Sequence, residues 1–557
     1  MRMKRLLLLA LLALMAFPAA ALADRDVKVQ LLGLNDFHGH LEANTPGTIA
    51  PDPSSPRVPA GGAEYLATHL RQKERTNRNT LIVSAGDLIG ASPLLSALFH
   101  DEPTIEAMNK IGLDLNAVGN HEFDEGAAEL LRMQRGGCHP VDGCQDGTGF
   151  EGAKFDFLAA NVVDERRGRT IFPPYAIEKF DGIKVGFIGM TLEGTPDIVS
   201  PSGVAGLDFL DEADTANRYA DELRRRHGVR AIVVLLHEGG IQTQPGGIND
   251  CNGISGPVVD IVNRTTSQVD LFVTGHTHTA YNCVIDGRPV TSASSFGRLL
   301  TDIDLTLDGR SRDVVEVAAN NQIVTQNVFK DPAITDLIAR YNEIAAPLRD
   351  RVIGRISADI TRTPDDSGEN AAGNLIADAQ LAATSSPETG GAVAAFMNPG
   401  GVRSDFTFAP SGAEAPGDVT YGEAFTVQPF GNSLVTMTLT GSQILEMLRL
   451  QWCGSSRRIL LPSSTVSYTW SQSAANCTSN PVSNLTIGGQ PVNPGTSYRI
   501  TVNSFLADGG DGFPVLREGT DRLGGEVDTD ALETYIAPSL TGDPIDPPAL
   551  DRINVTP

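Results

Sequence analysis

Five short runs in this chain place imidazole, carboxylate or amide groups directly behind an apolar stretch of strand character. They are Asn35-Asp36-Phe37-His38, Gly86-Asp87, Gly119-Asn120-His121-Glu122, Leu236-His237-Glu238 and Gly275-His276-Thr277-His278. Of the ten histidines, six (His38, His40, His121, His237, His276 and His278) fall in or beside these runs, so chance placement is a poor account of them. Oxygen and imidazole groups arriving from the ends of several strands can build a site for two divalent metals, and any fold proposed for the chain must bring those ends together.

The apolar stretches predict strands at Val27–Leu34, Thr80–Ser84, 115–118, 157–160, 184–189, 231–236 and 270–274. Between them, 64–74, 104–111 and 213–226 carry helical periodicity. Apolar strands alternating with helices predict a layered α/β domain with its sheet covered on both faces. Pro/Gly-rich loops interrupt it at 44–62, 136–152 and 239–256, and long loops of this kind often carry substrate contacts. At 557 residues the chain is too long for one core. Asp331-Pro332 reads as the cap and first position of a linker helix over 333–346, with Pro347 following it. The expected division is a leader at 1–23, a first domain at 24–330, the linker helix within 331–350, a smaller α+β domain at 351–545 and a loose tail at 546–557. In the second domain, 438–450 reads as strand, turn and helix, and Ser497–Asn503 as a strand.

The leader has the features of a signal peptide. Arg2, Lys4 and Arg5 precede an apolar run at 6–17, and Ala21-Leu22-Ala23 fits a cleavage site, so the mature chain is expected to begin at Asp24 in a periplasm or outside the cell. That run is too short for a membrane span, and no later segment is apolar enough for one. Six cysteines fit an oxidising compartment. No Cys-x-x-Cys spacing favours zinc ligation, so disulfides are expected, with neighbours paired: Cys138 with Cys144, Cys251 with Cys283, and Cys453 with Cys477. A net charge of -25 argues against broad binding of nucleic-acid backbone. An anionic substrate then needs local positive charge, which bound metals supply.

Asp36 and His38 are two apart in extended chain, so both can reach one ion. Asp87 has two oxygens and can bridge two cations. Asn120 offers a carbonyl oxygen, and His237, His276 and His278 offer ring nitrogens. Mixed oxygen and nitrogen ligation suits zinc, manganese or iron better than calcium. The series Asp-x-His, Gly-Asp, Gly-Asn-His-Glu, His and Gly-His-x-His resembles the calcineurin-like metallophosphoesterase superfamily. Asn-Asp-x-His-Gly with Gly-Asn-His-Glu-Phe-Asp is similar to its 5'-nucleotidase branch, which includes periplasmic UDP-sugar hydrolases and 2',3'-cyclic phosphodiesterases. The resemblance implies a four-layer α/β sandwich and two divalent ions. Asp36, His38 and His278 would hold the first, Asn120, His237 and His276 the second, and Asp87 would bridge them. It implies that His121 is no ligand but a catalytic residue paired with Asp124, and it leaves His40 outside the site. Ions about 3.5–4 Å apart clamp a phosphoryl group and lower the pKa of a water, and the resulting hydroxide attacks phosphorus in line.

Three segments of the second domain bear on the substrate. Asn398-Pro399-Gly400-Gly401-Val402-Arg403 is a turn ending in a cation, Pro429-Phe430-Gly431-Asn432 sets an aromatic beside a turn, and 505–512 adds Phe505, glycines and Asp511. Two aromatics can sandwich a planar base, and arginine can pair with phosphate. In this order the segments resemble the 5'-nucleotidase C-terminal domain. The resemblance implies stacking by Phe430 and Phe505, base or ribose contacts from Asn432 and Asp511, and substrate contacts from Asn374, Asn398 and Arg403. Residues 366–373, just before Asn374, lack the arginines that some members carry there. The implied activity is release of phosphate from nucleoside 5'-monophosphates, with a small nucleotide rather than a polymer as partner. A UDP-sugar hydrolase, a 2',3'-cyclic-nucleotide phosphodiesterase/3'-nucleotidase and, more remotely, a non-catalytic nucleotide binder are the alternatives. Oligomeric state is left open.

Overall fold

The computed structural model describes residues 25–43, 47–199, 203–453 and 457–557, so the expected leader lies outside the described residues. Two six-stranded sheets carry the N-terminal half. In the first, β1 (Val27–Leu34), β2 (Thr80–Ser84), β3 (Leu115–Ala117) and β4 (Asp156–Leu158) run parallel in that order. In the second, β5 (Tyr175–Phe180) pairs with β6 (Ile183–Thr191), which is followed by β7 (Ala231–His237) and β8 (Leu271–Thr274), these last three parallel. A hairpin of β9 (Ala280–Ile285) and β10 (Arg288–Ala293) completes that sheet, with β10 beside β8. The chain then returns to the first sheet, where β11 (Leu299–Leu307) lies antiparallel to β1 and β12 (Val314–Ile323) forms the edge.

Side-chain alternation along these strands produces the layers. Val29, Leu31, Leu81 and Val83 point between the sheets and meet Val185, Phe187, Val233 and Leu235. Leu32, Leu34 and Ile82 point the other way, into a cluster with α1 (Ala63–Glu74), α2 (Glu102–Ile111) and α3 (Ala127–Arg135). On the far side, Ile232, Val234 and Leu236 pack with α4 (Glu212–His227) and α5 (Pro257–Arg264). Helices, sheet, sheet and helices give the four-layer α/β sandwich that the family resemblance implied. The two C-terminal hairpins of the domain lay outside the predicted strands. Within β12 the buried residue is Asn321, so no alternation of apolar and polar side chains announces the strand.

Asp270, just before β8, accepts a hydrogen bond from the Ile232 N–H at 2.8 Å. Burial pushes its carboxyl up to about 7. An unfolded aspartate titrates at about 4, so the folded state holds this proton more tightly; the stability it contributes is complete below pH ~4 and is lost as pH rises through about 7. Asp270→Asn keeps an acceptor oxygen and removes the charge. It is expected to raise the melting temperature by several degrees at pH ~8 and to leave it nearly unchanged at pH ~4. A calorimetric difference that does not vary with pH would contradict this origin.

Helix α6 (Pro332–Arg349) starts at the expected cap: Asp331 Oδ1 accepts from Ala333 N at 3.0 Å and Ile334 N at 3.3 Å. It runs through Pro347 instead of stopping there. Proline removes one N–H, yet Asp350 N still reaches Ala346 O at 3.0 Å and closes the last turn. Beyond it, β13 (Ala394–Met397), β14 (Ser433–Thr440), β15 (Leu461–Pro462), β18 (Ser497–Asn503) and β19 (Thr520–Val527) form a mixed sheet in the order β15-β13-β18-β14-β19. Helices α7 (Ala371–Thr384) and α8 (Gly441–Leu450) pack on it through Leu375 and Ile376 against Met397, and Ile444 and Leu448 with Met437 and Leu439. No turn separates β14 from α8, because Thr440 ends the strand and caps the helix in a reciprocal box with Gln443.

A second small sheet joins β16 (Val466–Ser471), β17 (Val482–Ile487) and β20 (Ile553–Thr556). β20 overturns the expected loose tail. It pairs parallel with β16, and beside it Arg552 forms an ion pair with Asp378 at 2.7 Å and Ile553 N donates to Glu369 at 3.0 Å. Four residues are too few for alternation to register in sequence. The three disulfides join the expected neighbours: Cys138–Cys144, Cys251–Cys283 and Cys453–Cys477. Among the described residues, no helix is long and apolar enough to cross a membrane.

Candidate active site

The carboxyl ends of parallel strands from both sheets meet at one place. Asp36 and His38 follow β1, Asp87 follows β2, Asn120 and His121 follow β3, His237 ends β7, and His276 and His278 follow β8. One ligand atom from each of Asp36, His38 and His278 lies within 4.8 Å of the others, and the same holds for Asp87, His237 and His276. Asn120 Oδ1 joins the second group, 3.1 Å from His237 Nε2 and 3.0 Å from His276 Nδ1. Asp87 Oδ2 lies between the groups, 3.0 Å from His237 Nε2 and 3.6 Å from His38 Nε2.

Neighbouring groups aim the ring nitrogens. His38 Nδ1 donates to Gly90 O at 2.9 Å and His237 Nδ1 to Ala85 O at 2.7 Å, which turns each Nε2 lone pair toward the centre. Asp36 is held by Asn35 Nδ2 at 2.6 Å and by the His276 N–H at 3.0 Å. The backbone at Asp36, His38, Asp87, His276 and His278 is left-handed, with φ between 47° and 71°. The glycines of the motifs have a steric role. A Cβ at Gly119 would sit 2.2 Å from Asp87 Oδ1, and one at Gly86 would sit 2.7 Å from His237 Nδ1.

The electrostatics call for positive charge here. Burial, with Asp87 alongside, pushes Asp36 up to about 7. Burial opposes ionisation of Asp87 too, yet His237 and His121 hold its carboxyl well below the usual range. Burial would lower His237, but Asp87 and Asp36 carry it up to about 10. Burial drives His38 and His278 well below their ordinary value and His276 to about 3, leaving neutral imidazoles whose lone pairs converge. His38 Nε2 and His278 Nε2 are only 3.0 Å apart. Buried carboxylates, neutral imidazoles and an amide oxygen on one point fit divalent transition ions.

His121 sits beside this set. Its N–H donates to Asp87 Oδ1 at 2.9 Å, and its Nδ1 is 2.8 Å from Asp124 Oδ2. Asp124 is not the N-cap of α3, which begins at Ala127 behind Gly126; it closes the short 3-10 turn His121–Phe123. Burial would lower the His121 imidazole, but Asp124 and Asp87 raise it overall, favouring the cation with Nε2 left for the cavity. His40 packs its ring on Phe296, with centroids 4.0 Å apart.

A cavity of about 240 Å³ opens between the two halves. Asn120, His121, Asp124 and His276 line one side, and Asn398, Arg403, Phe430, Asn432, Phe505 and Asp511 line the other. The Phe430 ring lies over His121 at 5.8 Å and 21°, and the Arg403 guanidinium is 5.7 Å from the Phe430 ring centre. Asp511 Oδ2 accepts from Asn398 Nδ2 at 2.8 Å, and Asn432 Oδ1 accepts from Ser504 Oγ at 3.1 Å.

Asn374 is the predicted substrate residue that does not reach this cavity. It is fully buried in α7, where its Nδ2 donates to Glu369 at 2.7 Å and to Ala549 O at 3.3 Å. Its amide ties the start of α7 to the segment leading into β20. Several contributors escaped the sequence reading. Arg458 lines the cavity with its Nε 3.7 Å from Asp511 Oδ1, and Asn503 Nδ2 donates to Asn398 Oδ1 at 2.9 Å. Glu122 accepts from the N–H groups of Asp87, Leu88 and Gly119 at 2.6–2.9 Å and so splints two ligand loops. Only Glu122 had a signal, its place in the Gly-Asn-His-Glu run.

Comparison with known proteins follows the same division. Residues 29–280 match the calcineurin-like phosphoesterase family and residues 352–518 the 5'-nucleotidase C-terminal domain. The endonuclease YhcR of Bacillus subtilis is 32% identical over 523 residues, covering 92% of this chain but 40% of its own length. A 5'-nucleotidase of Vibrio cholerae is 27% identical over 92% of this chain and 91% of its own. The crystal structure of a 5'-nucleotidase precursor from Thermus thermophilus superposes with a TM-score of 0.75 at 26% identity, covering 95% of this chain and 99% of that one.

Proposed function

Because this chain belongs to the family that joins a calcineurin-like phosphoesterase domain to a 5'-nucleotidase C-terminal domain, and so is a metal-dependent phosphoester hydrolase, we propose that it releases phosphate from nucleoside 5'-monophosphates outside the cytoplasm. The observation that carries the substrate class is the cavity. It is lined by Asn120, His276 and His121 together with Phe430, Phe505 and Asp511, with the Phe430 ring stacked over His121. A nucleoside 5'-monophosphate, which carries a phosphate and a base on one ribose, answers both sets of groups. The leader sequence and three disulfides support export.

Zinc, manganese or iron held by Asp36, His38 and His278 and by Asn120, His237 and His276, with Asp87 between, would supply positive charge and an activated water. Arg403 pairs with phosphoryl oxygens from the opposite wall. His121, oriented by Asp124, donates its Nε2 proton to the departing ribose oxygen. Phe430 and Phe505 stack on the base, and Asp511 and Asn432 take ribose or base hydrogen bonds. Residues 366–373 lack arginine, and among the described residues Arg403 and Arg458 are the cations lining the C-terminal wall, which suits one phosphate better than a diphosphate.

Purified protein given manganese or zinc is expected to release phosphate from AMP faster than it cleaves UDP-glucose, a 2',3'-cyclic nucleotide or single-stranded DNA. Cleavage of DNA in preference to AMP would overturn the reading. That outcome is disfavoured by the net charge of -25, although one relative is named an endonuclease. Phe505→Ala is expected to raise KM for AMP by ~10–100-fold, the worth of one stacked base, and to leave turnover of ribose 5-phosphate unchanged. Equal losses on both substrates would remove Phe505 from the base site.

A further inference from the structure

A second cluster of ligand-type side chains lies beside the catalytic dyad and is not used by it. His100 follows a short helix, Leu94–Ala97, and Glu125 directly follows Asp124. His139 and Asp142 sit in the loop closed by Cys138–Cys144. His100 Nδ1 meets Glu125 Oε2 at 2.7 Å, and its Nε2 meets Asp142 Oδ2 at 2.9 Å. His139 Nδ1 is 3.2 Å from that same Asp142 oxygen. The two imidazoles stack with centroids 3.8 Å apart at 16°.

The position of His100 is fixed by the scaffold. Its backbone is left-handed at φ 52°, and so is that of Asp101 at 61°. The Asp101 carboxylate locks this turn, accepting from Gly90 N at 2.9 Å and Ser96 Oγ at 2.5 Å.

We propose that His100, Glu125 and His139 form a third metal site, for a single zinc-class divalent cation. Ligand atoms of the three lie within 4.8 Å of one another, and Asp142 Oδ2 holds the other ring nitrogen of His100 at 2.9 Å and so orients it. Two nitrogens with carboxylate oxygens make a borderline donor set that zinc takes in tetrahedral geometry and that calcium and magnesium do not favour. The parallel rings must splay for both to ligate one ion, and His139, carried on the loop, is the one that turns. The ion would tie the disulfide loop to the residue next to Asp124. His100 and Glu125 already line one pocket with His121, Asp124 and Phe430, so the ion would stiffen a wall of the reaction cleft.

Zinc content decides the matter. Full-length protein is stripped of metal, dialysed against zinc, washed through a desalting column and analysed for zinc per chain. Wild type is expected to retain three ions, and His139→Ala and Asp142→Asn two. Removing the ligand His139, or the Asp142 charge that orients His100, should weaken the third ion by at least ~10–100-fold, the loss that an outer-shell partner alone produces. Circular dichroism of the zinc-free forms shows whether each variant folds, and the half-exposed Asp142 side chain gives a variant with little packing to lose. Cobalt loading adds a visible absorption band that should diminish in both variants. Equal zinc content and equal cobalt spectra in wild type and both folded variants would overturn the proposal.

Discussion

Asp87→Ala is expected to lower kcat/KM for AMP by at least ~10³-fold, which corresponds to about 4 kcal/mol of transition-state stabilisation. Three contacts converge on this carboxylate. Its Oδ2 lies 3.0 Å from His237 Nε2 and 3.6 Å from His38 Nε2, between the two ligand groups, and its Oδ1 accepts the His121 N–H at 2.9 Å. Removing it leaves two half-sites whose imidazoles face one another without the shared negative charge. Metal analysis should therefore show a loss of ions together with the loss of rate. Asp87→Asn separates the two jobs, since an amide oxygen still receives the His121 N–H but brings no charge to the centre. Both variants losing activity, with the alanine variant also destabilised, is the expected pattern. Turnover within tenfold of wild type in either would remove Asp87 from the bridging position.

His121→Ala is expected to lower kcat for AMP by ~10²–10⁴-fold, the usual range for a positioned general acid, while metal content and KM change little. A ring nitrogen of His121 lies within 4.8 Å of ligand atoms of His38 and Asp87, but its Nδ1 is taken by Asp124 at 2.8 Å, and Asp124 and Asp87 favour its cation. With Nδ1 held by Asp124, Nε2 is left to carry a proton to the leaving group. The diagnostic comparison is leaving-group dependence. A nitrophenyl phosphate, whose leaving oxygen needs little protonation, should lose far less rate than AMP in this variant. Uniform losses on the two substrates would reassign His121 to charge stabilisation, and loss of metal would make it a ligand.

The readable parts of this molecule share a physical cause. A strand buried on both faces must be apolar, so a polar run at its end stands out, and the seven residues proposed as ligands could be named before their distances were known. Phe430, Phe505 and Asp511 were readable only through the order in which their segments resemble the 5'-nucleotidase C-terminal domain, since a Phe beside a Gly is by itself more often core. Asn374 misled because residue type does not say which way a helical side chain points; the Glu369 carboxylate pulled its amide inward. Arg458 and Asn503 reach the cavity through long-range packing, with no local pattern to mark them. β20 went unread because it gains its strand character from β16, more than eighty residues earlier, and not from its own four residues.

Left-handed backbone at five of the seven ligand positions has an evolutionary consequence. Aspartate and histidine tolerate that conformation better than most side chains, yet each instance still costs about 1 kcal/mol. Five of them amount to a sizeable fraction of the 5–15 kcal/mol that typically separates a folded domain from its unfolded chain. Glycine would relax every one. A lineage released from selection for catalysis should therefore drift toward glycine at these positions and become more heat-resistant as it does. A library of this chain screened for thermal survival alone should be enriched in dead enzymes.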